Sequence, residues 1–123
     1  METDFLTKKV IACAIEVHKN LGPGLLESSY ESCLMYELDK IRLPVKRQVM
    51  QAINYKGVQI DAGYRLDILL PNQLIIELKP VARLAPIHTA QLITYLKLSG
   101  IKTGLLINFN EEKLVNGLKR VSI

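Results

Sequence analysis

The stretch DILLPNQLIIELK, residues 67–79, sets aliphatic runs on both sides of Pro71-Asn72-Gln73 and carries three charged side chains, Asp67, Glu77 and Lys79. Turn-forming residues between two short apolar runs predict a tight connection between antiparallel strands. A three-residue loop with Leu70 opposite Leu74 lets the apolar face of Leu66 and Ile68 continue into Leu74, Ile76 and Leu78. The same register sets Asp67 directly opposite Glu77, their Cβ atoms about 5 Å apart, with Lys79 two residues further along that face. Like charges across a ladder destabilise a sheet, so the pair requires a proton or a cation beside it.

Upstream, the even positions of 58–70 (Val58, Ile60, Ala62, Tyr64, Leu66, Ile68 and Leu70) are apolar, while Gln59, Asp61, Arg65 and Asp67 occupy odd ones. This alternation predicts a long strand with one buried face. Lys56-Gly57 separates it from an earlier strand over about 46–55, and a two-residue loop there pairs Ile53 with Ile60 and Val49 with Tyr64. Before those strands, Val10, Cys13, Ala14, Val17 and Leu21 recur at helical spacing over 4–21, and Gly22-Pro23-Gly24 ends that helix. A second helix follows over about 25–40, with Tyr30, Leu34 and Leu38 facing the core. Glu27 shares their stripe, which aims a carboxylate inward or at a cleft edge.

Downstream, Pro86 and Gly100 bound a third helix over about 86–99, on which His88, Gln91 and Tyr95 form one stripe. Residues 102–109 read as a buried strand, parallel to its neighbour across the helical crossover, and the chain end adds a short edge strand. Helix, helix, three antiparallel strands, helix and strand make an α+β (mixed α/β) domain, and a chain of 123 residues fits one domain over 1–123.

Composition narrows the function classes. With 49% hydrophobic and 23% charged residues the chain has the make-up of a folded domain, not of a disordered regulator. No apolar run approaches the roughly 18 residues of a bilayer span, and the start, Met1-Glu2-Thr3-Asp4, is acidic where a signal peptide is basic; a cytoplasmic location is expected. Cys13 and Cys33 are the only cysteines, which excludes a disulfide framework or a four-cysteine zinc site and predicts two buried free thiols. A net charge of +4 suits polyanions without marking a dedicated nucleic-acid binder. His18, near a helix end, and His88, near a helix start, read as structural.

Asp67, Glu77 and Lys79 stand in the order D-x9-E-x-K. Two hard oxygen ligands on adjacent strands can hold Mg²⁺, which polarises a phosphoryl oxygen and lowers the pKa of a bound water. A solvated sheet face is the plain alternative, but both chain neighbours of Glu77 are apolar. Glu27 is either an acid favoured by the helix dipole or a further ligand. Gln91 and Tyr95 are either a pair at the core rim or contacts to the nucleic-acid backbone or to Lys79.

Gly24-Leu25-Leu26-Glu27-Ser28-Ser29-Tyr30 matches G-x-x-E-x-x-Y, and the stretches 14–18, 63–69, 77–79 and 85–95 resemble the rest of the GxxExxY proteins. By resemblance that family belongs to the PD-(D/E)XK nuclease-like superfamily, and the similarity runs over roughly residues 4–121. It implies a restriction-endonuclease-like αβββαβ core with a mixed sheet flanked by helices. It also implies that Asp67 and Glu77 ligate metal with the Leu78 backbone carbonyl and Glu27, that Lys79 is the motif lysine, and that Gln91, Tyr95 and Tyr30 contact substrate. Leu66 stands at the motif's proline position, and Pro80 and Ala82 where relatives tend to carry a small and then an acidic residue.

The implied activity is that of a Mg²⁺-dependent nuclease, with Mn²⁺ as substitute, hydrolysing phosphodiester bonds in DNA ahead of RNA through a metal-activated water. A lysine beside two carboxylates is a poor general base at neutral pH, so Lys79 would supply positive charge. Nucleic acid is the implied partner and membranes are not; a homodimer stays open. The competing reading, from another class, is a catalytically inactive nuclease-like domain that binds nucleic acid or a protein partner, and a third is a purely structural interaction domain.

Overall fold

The computed structural model describes residues 3–123; Met1 and Glu2, half of the acidic start, lie outside the described residues, as does the side chain of Ala62. Two helices, α1 (Thr3–Leu21) and α2 (Glu27–Lys40), precede three strands, β1 (Lys46–Tyr55), β2 (Val58–Leu70) and β3 (Leu74–Leu78). Helix α3 (Pro86–Ser99) then leads to β4 (Thr103–Ile107), a 3₁₀ turn (Leu114–Gly117) and β5 (Leu118–Ser122). The sheet order is β1-β2-β3-β4-β5, antiparallel except for the parallel pair β3–β4 that α3 connects. This is the expected αβββαβ core, and the expected edge strand closes it. Among the described residues no helix is long and apolar enough to cross a membrane.

All residues of β3 and β4 are buried, because both faces of these central strands are covered. On one face Val10, Leu34 and Leu38 of α1 and α2 pack on Ile68, Ile76 and Leu105. On the other, Leu92 and Leu96 of α3 pack on Ile75 and Leu106. Gly104 sets the spacing on this second face, since a Cβ there would lie 2.8 Å from the Leu92 side chain. Leu21, expected in the α1 stripe, is exposed at the helix end, and Cys33 is half-buried, unlike the buried Cys13; both thiols are free.

Three expectations about β2 are corrected. Leu70 does lie opposite Leu74, but the apolar face is not continuous. Ile68 and Leu70 join the α1/α2 side, while Leu66 packs with Leu92 and Tyr95 on the α3 side. The alternation breaks at Asp67, whose position in the register faces Gln48, a non-glycine residue at φ 53°. Second, Val58, Ile60 and Tyr64 are exposed, because the outer half of the hairpin runs beyond both helix layers. Third, Ile53 does pair with Ile60, but Val49 pairs with Leu66 and Gln51 with Tyr64. Three residues of β2 oppose Ala52 alone, and this bulge contains Gly63 at φ 78°, a conformation that costs a residue without a Cβ little.

Candidate active site

The β2–β3 ladder is regular from Leu70–Leu74 to Ile68–Ile76 and stops one pair short of Asp67 and Glu77. Beyond it the carboxylates take over the backbone's hydrogen bonds. Asp67 Oδ2 accepts the Leu78 N–H at 2.8 Å, and Glu77 Oε1 accepts the Asp67 N–H at 3.3 Å. Strand β3 stays registered with β4 through Glu77–Leu106 and Leu78–Ile107, so the interrupted pairing is on the β2 side. The two acids are 8% and 3% exposed, which the sequence register made expected as a juxtaposition but not as a burial.

Burying two carboxylates together sets their electrostatics. Glu77 is pushed up to about 9, first by burial, then by the negative charge of Asp67, against smaller opposing pulls from the Asp67 N–H it accepts and from Lys79. Glu27, the first residue of α2, is pushed up to about 7 by burial and by the charge of Asp67. Three acids from α2, β2 and β3 thus gather around Asp67, and without a cation Glu77 retains its proton through neutral pH. Leu26, Glu27, Ser28, Glu31, Gln48 and Asp67 line the shallow cleft in front of them.

Helix α3 contributes from the opposite side of the sheet. Lys79 Nζ donates to Gln91 Oε1 at 2.8 Å, which joins two of the expected site residues directly. Tyr95, one turn further on, is buried, and its hydroxyl is held protonated by burial and by the charges of Glu77 and Asp67. His88 does mark the helix start: its Nδ1 accepts the Ala85 N–H at 2.9 Å.

Tyr30 departs from its expected role as a substrate contact. It is 1% exposed, stacks on Phe109 with ring centroids 4.5 Å apart, donates its hydroxyl proton to Gly22 O at 2.6 Å and accepts from Leu25 N–H at 3.0 Å. These bonds hold residues 22–25 out of helical form, so α2 begins at Glu27 and not at residue 25. The motif tyrosine therefore fixes where the motif glutamate emerges. His18, with Nε2 2.7 Å from the Glu111 carbonyl, and Asn110, accepting from Gly24 N–H at 3.0 Å, brace the same loop. The Leu78 carbonyl, expected as a ligand, belongs to the residue whose N–H binds Asp67.

Sequence reasoning missed Glu31. One helical turn after Glu27, it is buried, and its Oε2 accepts from Arg47 Nε at 3.0 Å and Nη2 at 2.7 Å. Its Oε1 accepts from Gln48 Nε2 at 2.6 Å. The spacing of Glu27 and Glu31 on one helix face was the available signal; their partners lie on a strand that no local pattern ties to α2.

Residues 4–121 match the family model of the PD-(D/E)XK nuclease superfamily. The chain belongs to that superfamily. No curated protein and no solved structure matches it. PD-(D/E)XK membership carries nuclease chemistry and nucleic-acid binding as its general expectation, and nucleases of this superfamily typically use divalent metals.

The donor set of this PD-(D/E)XK site fits such an ion. Among the described residues no group of three His, Cys, Asp or Glu side chains is placed to hold a metal ion. Mg²⁺ does not need one, since it is usually held by one or two carboxylates and keeps several waters. Asp67 and Glu77 offer hard oxygens from adjoining strands, and their mutual repulsion is what a divalent cation would relieve.

Proposed function

We propose that this PD-(D/E)XK protein is a GxxExxY-type nuclease that hydrolyses phosphodiester bonds in DNA with Mg²⁺, or Mn²⁺ in its place, in a reducing cytoplasm. The observation that carries this reading is the buried Asp67–Glu77 pair at the point where β2 and β3 stop pairing, with Glu27 lining the cleft in front of it. Asp67 and Glu77 would hold the ion, with Glu27 and the Leu78 carbonyl beside them. When bound, the ion supplies a Lewis acid for a phosphoryl oxygen and lowers the pKa of a water.

The chain's own groups supply the rest. Lys79, held by Gln91, presents a positive charge to the phosphoryl oxygens as negative charge builds there. Tyr95 keeps its proton and can donate a hydrogen bond to the phosphate. Glu27, at the start of α2 and lining the cleft with Asp67, can take up a proton from the attacking water. Gln91 and Tyr95 act from the α3 side and Glu27 from the α2 side, so the scissile phosphate is approached from both.

Cleavage of end-labelled DNA with Mg²⁺ and with EDTA tests this. Asp67→Ala and Glu77→Ala should each lower the cleavage rate by about a hundredfold or more while circular dichroism stays that of the parent. Full activity in both variants, or no cleavage by the parent over a panel of DNAs and metals, refutes it. Metal-independent, salt-sensitive binding without cleavage would instead identify the non-cutting nucleic-acid-binding domain.

A further inference from the structure

The outer parts of β1 and β2 form a two-stranded ribbon in which every residue over 54–61 is exposed. Its cross-strand pairs are nevertheless apolar: Ile53 faces Ile60 and Tyr55 faces Val58, and Tyr55 and Val58 are 57% and 60% exposed. Positions 51, 53 and 55 share one face, and Tyr64, opposite Gln51, lies on it too. The face leads somewhere. The Tyr64 ring meets that of Tyr95 at 5.9 Å, and Tyr95 packs with Leu66, the chain neighbour of Asp67.

The charge of the ribbon is one-sided. Apart from Arg47, which is paired with Glu31, residues 46–65 carry Lys46, Lys56 and Arg65 against Asp61 alone; Lys46 and Arg65 lie on the other face, while Lys56 Nζ lies 5.4 Å from the centre of the Tyr55 ring. Such a surface repels a second copy of itself and attracts a polyanion. Exposed tyrosines, one of them with a lysine beside its ring, are stacking platforms for bases, and bases within a duplex are already stacked on one another. Tyr55 and Tyr64 are four residues apart in register, about 13 Å along the ribbon, so each can take its own base from an unpaired strand.

We propose that the exposed face of the β1–β2 ribbon binds single-stranded DNA and leads it past Tyr64 to the Asp67–Glu77 site. This rests on the nuclease reading above and narrows its substrate to an unpaired strand. Fluorescence anisotropy in EDTA, with labelled oligothymidylate and a duplex of equal length, reads binding without cleavage. Oligothymidylate should bind about tenfold or more tightly than the duplex. Tyr55→Ala should weaken that binding about tenfold and Tyr55→Phe should preserve it. Lys56→Ala should lower the slope of log affinity against log salt by about 0.7.

Equal binding of the duplex, an unchanged affinity in Tyr55→Ala, or a preference for oligouridylate overturns the proposal. So does a dimer in light scattering that Tyr55→Ala splits, because the ribbon would then be a self-association surface. The two readings fail separately. A protein that binds oligothymidylate through Tyr55 but never cuts DNA refutes the nuclease and leaves the ribbon's binding role standing, whereas cleavage with affinity indifferent to Tyr55 does the reverse.

Discussion

Glu77 retains a proton through neutral pH because it is buried beside Asp67, and this makes the stability of the metal-free protein depend on pH. Its carboxyl rises from an ordinary 4.5 to about 9 on folding, so between those values the folded state holds a proton that the unfolded chain has released. Stability is therefore greatest below the lower value and falls as pH rises towards the upper one, by at most about 1.4 kcal/mol per pH unit for one proton. Urea titrations in EDTA at several pH values should show this fall in the parent and a flatter profile in Glu77→Gln; an equal slope in both contradicts it. Gln91→Ala, which leaves the Lys79 ammonium without its acceptor, should lower kcat about tenfold at a stability cost below about 1.5 kcal/mol, measured by steady-state kinetics and thermal melting. At this scale Asp67, Glu77, Lys79 and Gln91 were legible because register and helix spacing bring them together. Tyr30 was misread, since a motif residue that shapes a loop looks in sequence like one that touches substrate. Glu31 was missed because Arg47 and Gln48 meet it only through tertiary structure.

Among the elements, β2 shows most clearly what periodicity can and cannot convey. Its length and both hairpin partners followed from alternation and turn residues, yet the bulge opposite Ala52 displaced Val49 from Tyr64 to Leu66. That displacement is two residues, which keeps every side chain on its original face, so the hydrophobic pattern cannot register it. The break at Asp67 is different: it sends Leu66 and Ile68 to opposite layers, and nothing local in the sequence announces it. Helix α3 depends on β4 in a way that can be tested. Gly104→Ala drives a Cβ against the buried Leu92 and should destabilise the fold by about 1–3 kcal/mol in thermal or urea unfolding, whereas a neutral result would mean that α3 shifts freely on the sheet.

Over the whole molecule the two helix layers have separate tasks at one end of the sheet. From one face α2 delivers Glu27 and the Glu31 network, and from the other α3 delivers Gln91 and Tyr95, around acids on β2 and β3. The αβββαβ order was readable because each element has its own period and punctuation. The reach of the ribbon beyond both layers was not, because alternation reports a face and not what covers it. On the function proposed above, Asp67 and Glu77 are buried together to hold a divalent cation. Calorimetric titration of Mg²⁺ at neutral pH, in two buffers of different ionisation enthalpy, addresses it directly. The parent protein should bind saturably with release of protons, and Glu77→Ala should not bind. No saturable heat from the parent, or the same heat from the variant, would contradict it.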